Sequence, residues 1–168
     1  MKKTLNEDEI LMYAWAGRAL MEAQSMETNL SNLIVVQQML RGKIDDIPNL
    51  KEVFVKHDRQ TLGALLINIR KYVKFDAEFE TKLGEALKQR NFLVHNYFLH
   101  LTTKYNHVEG KTIAPVELHQ ITQILSGVTI KLLELTIAFA SAIGLTPEIL
   151  NEELRKKDTD FYLDWTFK

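Results

Sequence analysis

From about Glu7 to Leu40, apolar residues return every three or four positions: Ile10, Leu11, Ala14, Gly17, Leu20, Met21, Leu30, Leu33, Ile34 and Leu40. That period belongs to an α-helix and not to a strand, whose side chains alternate every second residue. One long amphipathic helix, or a broken pair, needs other long helices to cover its apolar side, and this constrains the chain to a helical bundle. Arg41-Gly42-Lys43 stops the segment. Ile44 to Pro48 reads as loop and Leu50 to Val55 as a short helix.

The remaining chain follows the same pattern. The spacing of Leu62, Leu65, Leu66 and Ile69 predicts a helix from about Thr61 to Val73. Asp76 is suited to N-cap the next helix, Ala77 to about Leu99, which would bury Phe79, Leu83, Ala86, Leu87, Leu93 and Val94. Leu101 to Ala114 reads as a polar loop, with Pro115 in the first turn of a helix from Val116 to Ile143 that Gly144 ends. Thr146-Pro147-Glu148 opens a last short helix. No alternation is long enough for a sheet, so the expectation is an all-α, antiparallel bundle of four to six helices.

With 168 residues, 46% hydrophobic and 26% charged, the chain suits a single domain spanning 1–168. No unbroken apolar run approaches the ~20 residues that span a bilayer, and Met1-Lys2-Lys3-Thr4 leads into Asn6-Glu7-Asp8-Glu9 without the apolar core of a leader; a cytoplasmic protein with no membrane partner is expected. The absence of Cys excludes disulfides, thiolate nucleophiles and Cys-based metal centres. Any chemistry must come from His, Arg, Tyr, carboxylates or a bound ion.

Net charge is -1, but residues 68–111 hold eight Lys or Arg against five acids, locally +3, inside a chain with 21 basic and 22 acidic residues. That asymmetry permits RNA binding without arguing for it. His95, His100, His107 and His119 lack the paired spacing and intervening Glu of a helical zinc motif, so no metal is expected. No glycines cluster into a phosphate loop, and no other cofactor signature is present. Glu78, Glu80 and Glu85 near a helix start offset the helix dipole. The aromatic tail, Phe161, Tyr162, Trp165 and Phe167, reads as a strap on the bundle or a partner-binding segment.

Residues 90–97, Arg-Asn-Phe-Leu-Val-His-Asn-Tyr, concentrate an obligate cation, a group titrating near neutrality and polar neighbours in one stretch. Arg90 offers a planar fork for a phosphate, and His95 can move a proton at physiological pH. At 100° per residue the two lie roughly 140° apart, so one helix makes a poor site. Asn91 and His95 are neighbours on one edge, with Arg90, Val94 and Tyr97 on another. A second helix across a twofold axis would bring both edges into one cleft, which makes a homodimer the arrangement of best chemical sense.

The full string, with Asn91 after the Arg, Leu93-Val94 before the His and Tyr97 following Asn96, resembles the signature of HEPN domains. In its Arg, four residues, His, any residue, Tyr form it is similar to toxins paired with minimal nucleotidyltransferase antitoxins. The preceding helix-turn-helix, Thr61-Leu62-Gly63 through Phe79, fits the same module, and the resemblance covers about residues 60–140. It implies a metal-independent endoribonuclease. His95 would be the acid or base around the ribose 2′-hydroxyl and the leaving 5′-oxygen, Arg90 would stabilise the phosphorane, and Asn91 would orient His95 or the phosphate. It also implies that an antitoxin attaches AMP at Tyr97. A catalytically silent HEPN-like module that pairs with a nucleotidyltransferase or binds a nucleotide, and a purely structural helical interaction protein, stand beside it.

Overall fold

The computed structural model describes residues 6–42, 56–57, 60–105 and 108–146. Among these the chain is helical and has no strand: α1 (Glu7–Leu40), α2 (Leu62–Ile69), α3 (Ala77–His95), α4 (Tyr97–Tyr105) and α5 (Val108–Ala142). The short helices expected at Leu50 to Val55 and after Thr146, and the aromatic tail, lie outside the described residues.

Local chemistry sets most of the ends. Asn6 and Glu9 form a reciprocal capping box at α1, Asn6 Oδ1 accepting from the Glu9 amide at 2.9 Å and Glu9 Oε2 from the Asn6 amide at 3.0 Å. Glu7, Asp8 and Glu9 place negative charge where the helix dipole is positive. Gly42 leaves α1 with φ +63°, where a side chain would be strained. Thr61 caps α2 and Asp76 caps α3, its carboxylate accepting from the Phe79 amide at 2.7 Å. Beyond α5, Gly144 has φ +72° and the Leu145 amide reaches back to the Ala140 carbonyl at 2.9 Å.

Two stretches depart from the sequence expectation. The motif helix stops at His95, not Leu99, because Asn96 turns out of the helix with φ -127° and ψ -22°. Leu101 to Ala114, expected as loop, is helical through Tyr105 and again from Val108, so Pro115 sits inside α5 and not in its first turn. Both ends of the stretch are anchored: Leu101 and Ala114 are buried in the core, and the Ala114 carbonyl accepts a bond from Tyr97. Anchoring of this kind overrides weak local preference.

α1 and α5 make the most extensive contact in the bundle, and the rings of Trp15 and His119, each a few turns into its helix, lie 4.7 Å apart. The two helices therefore run side by side in the same direction. α3 opposes them: Arg41 at the end of α1 donates to the Tyr72 carbonyl before α3 begins, while Glu27 farther back on α1 meets Arg90 farther along α3. The bundle is antiparallel only in part, since α2, α3 and α4 together return the chain to the starting end of α1.

The core is one cluster, including Met26, Leu30, Leu33, Ile69, Leu83, Leu93, Leu118, Leu125 and Leu132. In its first half α1 buries Met12, Ala16, Ala19, Ala23 and Met26, while Ile10, Leu11, Ala14, Gly17 and Met21, the expected core face, are exposed. The correction has a steric reason. Small alanines let the neighbouring helix approach closely, and the bulkier stripe half a turn away is left outside. Within α5, Ile113–Ala142 is long and apolar enough by composition to cross a bilayer, which modifies the expectation that no segment would be.

Candidate functional site

Arg90, Asn91 and His95 all stand on the last two turns of α3, rigidly held from beneath by fully buried Leu93. Arg90 points toward α1, where its Nε donates to Glu27 Oε1 at 2.5 Å, and its Nη1 donates to Asn91 Oδ1 at 3.3 Å. The ion pair is partly buried, with 20% of the Arg90 and 28% of the Glu27 side chain exposed. Glu27 thus fixes the guanidinium by one edge and offsets its charge, while the far edge, shared with Asn91, stays at the surface.

His95 is elsewhere. It lies nine residues beyond Ala86, half a turn around the helix from that fully buried alanine, and its side chain is exposed. Val94, expected in the core, is instead exposed beside it, because it lies off the buried stripe of Ala86 and Leu93, and across the Asn96 break Phe98 and Leu99 are exposed as well. Within one chain the structure keeps Arg90 and His95 on separate faces, as their spacing requires, and brings only Asn91 between them.

Tyr97, the first residue of α4 after the break at Asn96 and four residues after buried Leu93, is wholly buried, with its hydroxyl donating to the Ala114 carbonyl at 3.1 Å and its ring edge-on to Phe92 at 5.7 Å. Burial, with the Glu117 carboxylate adding to it, pushes the phenol well above its ordinary pKa of 10. In this arrangement the hydroxyl faces a main-chain carbonyl and not solvent, so accepting a transferred group would require α4 to lift.

Sequence reasoning missed two features. Glu27 carries no local signal, because its partner is 63 positions away. The other is an open cleft of about 390 Å³ between α3, α4 and α5, lined by Gln89, Phe92, His100, Glu117, Ile121 and Ile124. Phe92 and His100 meet edge to face across it, ring centroids 5.5 Å apart. The cleft opens on the flank of α3 that carries positions 89 and 92, to one side of the buried stripe, whereas Arg90 continues that stripe, four residues after Ala86 and three before Leu93. Among the described residues no group of three or more His, Asp or Glu could hold a metal ion.

Comparison with family models, with curated proteins and with solved structures finds no match to this chain.

Proposed function

We propose that the chain is a metal-independent endoribonuclease of HEPN type, active as a homodimer in which two α3 ends meet across a twofold axis. The observation that carries this reading is the setting of His95: a proton-transfer group exposed on a rigid helix end and bordered by uncovered Val94, Phe98 and Leu99. Apolar residues around an exposed histidine suit a surface that a second copy covers. That copy would supply the opposing edge that one helix lacks. In the composite site His95 takes the 2′-hydroxyl proton or returns it to the leaving 5′-oxygen. Arg90, held by Glu27, faces the phosphorane with the edge it shares with Asn91, and Asn91 positions the phosphate. The products are a 2′,3′-cyclic phosphate and a 5′-hydroxyl.

A second reading is a catalytically silent module that pairs with a nucleotidyltransferase or binds a nucleotide. The Glu27–Arg90 ion pair favours it, because a neutralised guanidinium attracts phosphate less than a free one. One assay separates the two: purified protein with single-stranded RNA in excess EDTA, with the product ends identified. The enzyme reading expects cyclic phosphate ends, and a loss of about 10²–10⁴ in rate for His95→Ala. Cleavage that needs added metal or leaves 5′-phosphate overturns the mechanism, and no cleavage across varied RNAs supports the silent module.

A further inference from the structure

The cleft between α3, α4 and α5 has no part in the chemistry proposed for Arg90 and His95, yet its lining has a consistent character. Three rings pack together there: Phe92 is edge-on to both Tyr97 and His100, and the centroids of Tyr97 and His100 are 6.5 Å apart. Tyr97 is buried, whereas Phe92 and His100 are partly exposed and line the cleft. Ile121 and Ile124, one turn apart on α5, add an aliphatic side. A volume of about 390 Å³ lies at the small end of ligand sites, and aromatic and aliphatic walls of this kind suit one flat ring system.

The polar groups of the cleft narrow the choice of ring. Gln89 on α3 and Gln120 on α5 offer carboxamides, which both donate and accept, and Glu117 offers a carboxylate, which only accepts. Gln89 is itself held in place, its Nε2 donating to Glu85 Oε1 at 2.7 Å. No Lys or Arg is among the described residues that line the cleft, so this lining gives a phosphate no obligate cation.

A nucleobase meets both requirements, because its faces stack on aromatic side chains while its edge is read by hydrogen bonds. Guanine fits this lining best. It carries two N–H groups side by side on one edge, the pair that the two oxygens of a carboxylate accept, and next to them a carbonyl for an amide N–H. We infer that the cleft binds one unpaired guanine base, Glu117 accepting from the N–H pair and Phe92 and His100 stacking on the ring. The inference does not rest on the ribonuclease reading, since guanosine has no internucleotide bond to cleave and no phosphate for Arg90.

Calorimetric titration with guanosine, inosine and adenosine tests it. Guanosine should bind saturably, and inosine, which lacks the 2-amino group, and adenosine should bind about 5–150-fold more weakly, the range for one mismatched base edge. Glu117→Gln should erase the preference for guanosine over inosine. Phe92→Leu keeps an apolar side chain without a ring face and should weaken guanosine by about 5–150-fold. If it proves unstable, Gln120→Ala, at an exposed position, should also weaken guanosine with circular dichroism unchanged. A uridine strand carrying one guanosine, set against an all-uridine strand of equal length, separates the sources of the base: tighter binding of the first points to RNA and equal binding to a free nucleoside or nucleotide, and either agrees with a guanine site. Equal affinity for the three nucleosides, no binding at millimolar guanosine, tighter binding of N-acetylarginine amide, or a preference that survives Glu117→Gln would each overturn the inference.

Discussion

Glu27 and Arg90, on helices that run in opposite directions, meet through a 2.5 Å hydrogen-bonded ion pair that fixes the guanidinium beside Asn91. The pair couples the first long helix to the candidate site, and on the ribonuclease reading it would also lessen the pull of Arg90 on a phosphate. Glu27→Gln separates these roles, because the amide oxygen still accepts from Nε while the negative charge is gone. Stability should fall by no more than about 1 kcal/mol, as for a partly exposed ion pair. Binding of single-stranded RNA should tighten and become more salt-dependent, measured by fluorescence anisotropy at two salt concentrations. Unchanged RNA affinity would mean that Arg90 does not face the nucleic acid.

Tyr97→Phe keeps the ring packing against Phe92 but removes the side-chain donor to the Ala114 carbonyl. A loss of about 1–2 kcal/mol is expected in urea unfolding at neutral pH. The alkaline limb should change as well. Since the folded phenol has a pKa raised above its ordinary 10, the unfolded chain loses that proton first as pH climbs. The stabilising contribution is complete below about pH 10 and declines above it, with a slope of up to about 1.4 kcal/mol per pH unit. Tyr97→Phe should flatten that decline, and an identical slope in both proteins would show that Tyr97 titrates normally.

Leu93 and His95 are two residues apart and should respond in opposite ways. Leu93→Ala removes a fully buried side chain and should cost about 2–5 kcal/mol. His95→Ala, at an exposed position, should change stability by less than about 0.5 kcal/mol. Paired thermal and chemical unfolding curves check this, and they show whether any loss of activity in the histidine variant is chemical and not structural.

Asp76→Ala removes the side-chain acceptor of the Phe79 amide at the start of the motif helix. The expected cost is about 1 kcal/mol, with Asp76→Asn restoring most of it, since Asn caps equally well. Hydrogen exchange at the first turn of α3 should accelerate in the Ala variant and stay slow in the Asn variant.

If the homodimer forms through the α3 end, Phe98→Glu combined with Leu99→Glu should shift the protein to monomer by light scattering while circular dichroism is preserved. Both side chains are exposed within a single chain, so neither belongs to the buried core. A parent protein already monomeric at micromolar concentration would remove the composite site.

The helical class and several boundaries were legible in the sequence because their causes are local. Asp76 finds its partner three residues away, and Gly42 and Gly144 need no neighbour to adopt positive φ. The 140° offset of Arg90 and His95 is likewise a property of one helix, and the structure keeps it. Tertiary packing decided the rest. Two apolar stripes compete in the first half of α1, and the fit of small alanines against a neighbouring helix selects the one that is buried. The helix breaks at Asn96, and Tyr97 beyond it lies in the core, where a carbonyl 17 positions along the chain receives its hydroxyl. Glu27 became part of the site only when α1 and α3 were laid side by side. Periodicity within a segment reports which residues can share a face, whereas which face is covered, and by what, depends on partners distant in sequence.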